Sequence, residues 1–318
     1  MAPQLGFDTT GIELVAEYAD HIRGTTILVT GVSPGGLGAI FAEKTAAGAP
    51  ALLVLAGRNG GKAEQTVDAI SSAYPNVKAK ALEIDLASLM GVIVPNIDVL
   101  AEDGFEMQFG TNHLGPFSLT NLFIGKIMAA AAPRIVMVSG DGHRLGHIRW
   151  TDSNFNDGKH YSDWHAYGQS KTANCLTALS LAEKLGNKGL LSFSLPPGVV
   201  YTNLAGHLDS FDSLRAQDIS MGTKFMWPGY NPKTEDQGIA THVFTAFNPN
   251  LSGGFSVRHS LLLRTIANGH VQFNGRFFND CRVVDQNNEE NYPCANNKSD
   301  ADRLWRLSEK LVGEDFSL

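Results

Sequence analysis

The chain is poor in cysteine, has no block of positive charge and carries no long unbroken apolar run. Each absence removes a class of function. The three cysteines, Cys175, Cys281 and Cys294, lie far apart and without metal-ligand spacing. They are expected as free thiols of a reducing compartment, with no metal. With 25 Lys and Arg against 32 Asp and Glu, the formal net charge is −7. That balance disfavours nucleic acid and anionic membrane as partners. The opening MAPQLGFDTTGIEL has no basic stretch followed by an apolar core, so no secretory leader is read and a cytoplasmic location is expected. The most apolar tract, residues 121–138, is broken by Lys126, Pro133 and Arg134. It reads as a buried helix followed by a buried strand, not as a membrane span.

What is present is an ordinary globular composition, 43% hydrophobic and 18% charged over 318 residues, enough for one large α/β domain or two small ones. Apolar strands alternate with helices. Strands are expected at residues 25–30 (buried), 51–56, 80–84, 134–139, 190–195 and 275–281, with the start of another at 97–100. Helices are expected at 9–23, 39–47, 62–73, 104–132 and 162–185. This alternation implies a parallel sheet with helices on both faces. Residues 1–24 form an N-terminal helical extension, and the irregular stretch 201–237 is the expected substrate lid.

The first strand runs directly into a glycine-rich turn, Thr30-Gly31-Val32-Ser33-Pro34-Gly35-Gly36-Leu37-Gly38. Between a strand and a helix, such a turn places bare N–H groups and a helix dipole against a pyrophosphate. Gly31 permits the turn, Gly35 or Gly36 permits close approach, and Gly38 lets helix and strand pack. A tight structural turn with no ligand is the competing reading. The second strand ends in Gly57-Arg58-Asn59, without the acid that would grip the 2′-hydroxyl of NAD. Arg58 and Ser33 would suit a 2′-phosphate, favouring NADP(H) over NAD(H), unless Arg58 is only a solvated turn charge. Asp85, at the end of the third strand, either accepts from an adenine amino group or caps a helix.

Tyr167 and Lys171, in Tyr167-Gly168-Gln169-Ser170-Lys171, are neighbours on one helix face. An adjacent ammonium favours a phenolate, so the Tyr167 pKa is expected to fall toward working pH. The phenol would then exchange a proton with a carbonyl as hydride arrives. Pro116 has no N–H for the carbonyl of Asn112, which is thereby free to hold a water; a plain helix kink is the alternative.

These elements, with Asn112-His113-Leu114-Gly115 and Pro197-Gly198, resemble the short-chain dehydrogenase/reductase family. The segments Glu102–Phe117, Ala166–Leu176, Ser194–Leu204 and Leu304–Phe316 are similar to the branch holding retinol dehydrogenases and fungal WW-domain-oxidoreductase-like proteins. The resemblance implies one Rossmann-like, doubly wound domain of about seven parallel strands. It implies Tyr167 as acid/base, Lys171 as its activator and Asn112 as holder of a relay water. It further implies cofactor contacts from Pro197, Gly198, Val200 and Thr202, the last to the nicotinamide carboxamide. The implied reaction interconverts a ketone and a secondary alcohol on an apolar small molecule. Phe225-Met226-Trp227 in the lid agrees with a bulky apolar substrate, though it equally suits ordinary packing. Fungal relatives point to a terpenoid or polyketide intermediate of secondary metabolism. Homo-oligomerisation stays open.

Three departures from the family pattern favour a second reading, a degenerate non-catalytic member or the product of a misread gene. In Val138-Ser139-Gly140-Asp141-Gly142-His143, the position of the family's catalytic serine is Gly140. Ser139 should face the other way, and an ionised Asp141 has no proton to donate. Next, Ile97-Asp98-Val99-Leu100 runs into Ala101-Glu102-Asp103 with no Asn-Asn-Ala-Gly turn, after a short crossover. Finally, residues 251–275 are an atypical insertion. Codons for Val257-Arg258, Ala267-Asn268 and Gln272 can spell a splice donor, a branch site and an acceptor, so residues 257–272 read as a translated intron or as a helical insertion on the lid.

Overall fold

The computed structural model describes residues 5–87, 103–200, 216, 219–220, 231–251, 255–256, 270–271, 273–285 and 290–318. Two helical turns, α1 (Gly11–Glu17) and α2 (Ala19–Ile22), precede β1 (Thr26–Thr30), because Tyr18 leaves helical geometry and divides the expected single helix. The order continues α3 (Leu37–Thr45), β2 (Leu52–Gly57), α4 (Gly60–Ala73) and β3 (Ala79–Glu83). Then follow α5 (Met107–Phe109), a π-helical turn (Gly110–Leu114), α6 (Gly115–Met128), β4 (Arg134–Val138), α7 (Asp163–Leu185) and β5 (Leu191–Leu195). The chain closes with α8 (Glu235–Phe247), four two-residue strands and α9 (Lys298–Val312). The helix expected over 104–132 is thus three pieces. The π-helical turn lies just before Pro116, which cannot donate to the preceding turn.

The parallel strands form two groups, β1-β2-β3 and β4-β5. An apolar layer of α1, α3 and α8 joins them, with Ile27 and Val29 of β1 and Phe193 of β5 in the same cluster. Helices α6, α7 and α9 cover the opposite face of β4-β5, where Phe117, Ile135, Met137, Leu181 and Trp305 pack together. The helices therefore lie on two faces, as expected. The expectation of a fully buried first strand is corrected, since Thr26, Leu28 and Thr30 are exposed. Thr26, Leu28 and Thr30 share one face of the strand and that face is exposed, while Ile27 and Val29 on the other pack into the core; among the described residues no strand pairs with the second edge of β1 or of β4 either. Leu28 and Val138 are accordingly 37% and 40% exposed. The expected strand at 97–100 lies outside the described residues.

The last expected strand also differs. Phe277 makes a parallel bridge to Ser194, but the chain then turns back as an antiparallel hairpin, β8 (Phe278–Asn279) with β9 (Arg282–Val283). Within the atypical insertion, β6 (Phe255–Ser256) pairs antiparallel with β7 (His270–Val271). Residues 257–269 and 272 lie outside the described residues.

Helix α6 supplies a matched test of this packing. A Cβ at Gly115 would lie 2.1 Å from the carbonyl oxygen of Leu86, whereas one at Gly125 would meet nothing within 4 Å. Gly115→Ala should destabilise by about 1–3 kcal/mol through overpacking. Gly125→Ala should stabilise by about 0.5–1 kcal/mol through helix propensity. Equilibrium denaturation of the two variants checks both signs.

Candidate active site

The turn after β1 has no room for side chains where a ligand backbone would approach. Gly31 and Gly35 have φ of +72° and +75°, the left-handed region glycine favours. A Cβ at Gly38 would stand 2.6 Å from the Gly31 carbonyl oxygen, and one at Gly36 would stand 3.0 Å from that of Ser33. Helix α3 therefore starts, at Leu37, directly against the end of β1. The turn opens on a cleft of about 730 Å³ lined by Gly31, Ser33, Arg58, Asp85 and Thr111, among others. The bare cradle and the cleft fit a dinucleotide, with its pyrophosphate on the N–H groups of the turn.

Two charged residues of this cleft escape the sequence reading. Lys62 lies in the first turn of α4, whose cap is the Asn59 side chain accepting from Lys62 N–H. Glu83, at the end of β3, comes so near α4 that a Cβ at Gly60 would be 2.6 Å from its carboxylate. The cleft thus carries two cations, Arg58 and Lys62, and two carboxylates, Glu83 at the end of β3 and Asp85 just beyond it. Asp85 is buried, and its Oδ1 accepts from Ala87 N–H at 2.7 Å.

At the other end of the site, Tyr167 stands over the turn leaving β4. A Cβ at Gly140 would be 3.2 Å from the Tyr167 hydroxyl, and one at Gly142 only 2.3 Å from Cε1 of its ring. Gly140 is therefore beside the phenol oxygen, and a side chain at Gly142 would collide with the ring. Ser139 is turned away: its hydroxyl donates to the Lys171 carbonyl at 2.8 Å and accepts from the Cys175 thiol at 3.1 Å. His143 is fully buried and held neutral by burial, its pKa pushed down to about 4. Its Nδ1 bonds the Gly140 carbonyl at 2.8 Å, and its Nε2 faces Tyr292 N–H at 3.4 Å, which fixes the proton on Nδ1.

The expected lowering of the Tyr167 pKa is corrected. Burial, with the nearby Asp141 carboxylate adding to it, pushes the phenol up to about 12. The Lys171 ammonium lies 5.4 Å from the ring centroid and donates to the Val138 carbonyl at 3.3 Å. Burial pushes Lys171 itself down to about 8. Desolvation outweighs the attraction that i, i+4 spacing suggests, because both half-buried groups are partly withdrawn from water. Trp164, not singled out from sequence, meets the Tyr167 ring edge-on at 6.1 Å and adds apolar surface beside the phenol.

Asn112 lies in the π-helical turn and its amide donates to Ser170 Oγ at 3.0 Å, while that hydroxyl donates to the Tyr167 carbonyl at 2.8 Å. Asn112, Tyr167 and Lys171 are thus brought to one place, with Ser170 as an unforeseen link. Pro197, Gly198 and Val200 follow β5, and Val200 and Leu37 flank the same glycine of α8: a Cβ at Gly238 would lie 2.6 Å from Val200 and 3.2 Å from Leu37. Thr202 and the lid residues Phe225, Met226 and Trp227 lie outside the described residues. Among the described residues no helix is long and apolar enough to cross a membrane.

The chain matches no family model. Its sequence is 32% identical to retinol dehydrogenase 14 of Mus musculus over 322 aligned positions, covering 92% of this chain and 87% of that protein. It is 30% identical to the chloroplastic short-chain dehydrogenase TIC 32 B of Brassica napus, covering 94% and 92% of the two chains. A crystal structure of a protein from Mycobacterium paratuberculosis superposes with a TM-score of 0.62 at 25% identity, over 93% of this chain and 96% of that one. With relatives at this identity over nearly its whole length, the chain belongs to the short-chain dehydrogenase/reductase family of NAD(P)-dependent oxidoreductases.

Proposed function

We propose that this chain is a single dinucleotide-binding domain that uses NADP(H) to interconvert an apolar ketone and its secondary alcohol. The observation that carries the reading is the Tyr167 hydroxyl beside Gly140, with Lys171 one helical turn on and Asn112 tied to the same helix through Ser170. The nicotinamide supplies the hydride when bound. Tyr167, kept neutral by its surroundings, holds the proton a reduced carbonyl oxygen must take up. Lys171, an ammonium below about pH 8, compensates charge as that proton leaves. Asn112, beside Ser170, offers its carbonyl to a relay water. Thr30, Gly31, Gly35, Gly36, Leu37 and Gly38 hold the pyrophosphate, while Pro197, Gly198, Val200 and Thr202 flank the nicotinamide half. Arg58, Lys62 and Ser33 would hold a 2′-phosphate against the carboxylates of Glu83 and Asp85, the latter already accepting from Ala87 N–H, which is the ground for NADP(H). The resemblance drawn from the sequence to the fungal branch is the ground for a terpenoid or polyketide intermediate as substrate, by analogy alone, and a cytoplasmic location and self-association complete the proposal.

One observation favours a second reading, a cofactor-binding chain that no longer turns over. Gly140 offers no hydroxyl to polarise a carbonyl, and losing one preorganised donor costs roughly 10²–10³ in rate. Tight NADP(H) binding without any carbonyl turnover is the outcome that would select it.

Arg58→Ala should weaken NADP(H) by about tenfold or more while leaving NAD(H) affinity unchanged, since only a 2′-phosphate uses the guanidinium. Isothermal titration with both cofactors checks this, and equal losses for the two would contradict it. In a carbonyl-reduction assay, Tyr167→Phe should lower kcat by about 10²–10⁴ with cofactor affinity intact. Gly140→Ser should raise it, because the added Cβ needs only a few tenths of an ångström of give from the phenol oxygen. Reductive kcat/KM should fall as pH rises through about 8, where Lys171 loses its proton. Lys171→Arg, which stays charged, should remove that alkaline fall even if the rate is lower overall; a pH profile that Lys171→Arg leaves unchanged would count against Lys171 as its source.

A further inference from the structure

The segment after β5 rests on a side chain from far along the sequence. Lys233 is 7% exposed, and its backbone N–H donates to the Val199 carbonyl at 2.8 Å. Val200 and Lys233 form a parallel bridge. Gly198 has a φ of +79°, and a Cβ there would stand 3.0 Å from both Cδ and Cε of Lys233. The Lys233 stem therefore passes directly under the Gly198 backbone. Its ammonium ends 2.5 Å from Asp280 Oδ1.

Asp280 is held in place by its own backbone. Asp280 and Cys281 are the two central residues of the β8–β9 hairpin, with φ of +49° and +57°. Positive φ at both centres is the mark of a type I′ turn, which normally calls on Asn-Gly. The Cys281 N–H donates to Thr241 Oγ1 on α8 at 3.2 Å, so the turn is pinned to that helix. On its other side Val200 packs against Gly238 of α8, and Leu37, where the dinucleotide turn enters α3, packs against the same glycine. The hairpin, Lys233, Gly198 and Val200 thus reach the dinucleotide turn through Gly238 of α8.

We propose that Lys233 and Asp280 are a positioning pair that holds the Pro197–Val200 backbone against the dinucleotide turn and so sets the affinity for cofactor. A buried ammonium needs its partner, and without Asp280 the cheapest response is for the Lys233 stem to swing toward water, removing the floor under Gly198. The proposal rests on the dinucleotide reading given above, and the test separates the two.

Fluorescence titration of NADPH would be run on the wild-type chain, Asp280→Asn, Lys233→Met and the double variant, with a thermal melt of each. Each single change should weaken NADPH by about tenfold or more, and the double should be no weaker than the worse single, because the two residues act as one. A wild type that binds NADPH beside single variants within about twofold of it would overturn the pair alone, whatever happens to the melting temperature. Losses that multiply in the double would overturn it too. A wild type that binds neither NADPH nor NADH would overturn the dinucleotide reading and the pair with it. Hydrogen exchange on the wild-type chain needs no variant to fold: NADPH should protect peptides covering residues 197–200 and 278–283 together. Protection of the first without the second would contradict the coupling.

Discussion

The site depends on how closely α7 lies against the turn that leaves β4. Two glycines make the contact backbone to backbone: a Cβ at Gly168 would fall 2.3 Å from the Gly146 nitrogen, and one at Gly146 would fall 2.3 Å from the His165 carbonyl oxygen. Side-chain hydrogen bonds hold the helix there. Thr172 Oγ1 donates to the carbonyls of His143 and Gly146, Ser139 reaches the Lys171 carbonyl, and the Asn174 amide reaches Val138. Only with this approach does the Tyr167 ring come to rest over Gly140 and Gly142.

The same closeness sets the electrostatics. A helix buried along most of its length leaves the phenol of Tyr167 and the ammonium of Lys171 half-buried and partly withdrawn from water. Burial makes both groups prefer their neutral forms, raising Tyr167 and lowering Lys171. A phenol that keeps its proton is suited to giving one to the oxygen of a carbonyl as it is reduced. Gly140 is the point of tension. It stands beside the phenol oxygen where a serine would share the work, and His143 anchors its carbonyl to the core whether or not a side chain is present.

Periodicity and turn chemistry made much of this legible in advance. Residues 51–56, 134–139 and 190–195 read as strands, each within one residue of the observed bounds, because they are short, apolar and followed by turn residues, and Gly38 read as a packing glycine because it follows a strand at the start of a helix. Tyr167 and Lys171 were visible as neighbours from spacing alone. Their protonation was not, because burial is a property of the tertiary fold. Other features hidden from the sequence join residues far apart along it. Ser170 meets Asn112, Lys62 and Glu83 face one cleft, and Lys233 meets Asp280 across 47 positions. The first strand was misread because its apolar run suggests cover on both faces, while the face carrying Thr26, Leu28 and Thr30 is exposed.

The central claim is that Tyr167 and its neighbours still support hydride transfer to a carbonyl without a serine at Gly140. Deuteride transfer tests it most directly. The chain would be incubated with NADPH deuterated at the transferring carbon and a panel of apolar ketones, and the alcohols analysed by mass spectrometry. The account predicts an alcohol carrying the deuterium on its carbinol carbon. Tight NADPH binding with no labelled alcohol from any member of the panel would contradict it and mark the chain as a binder that has lost its chemistry.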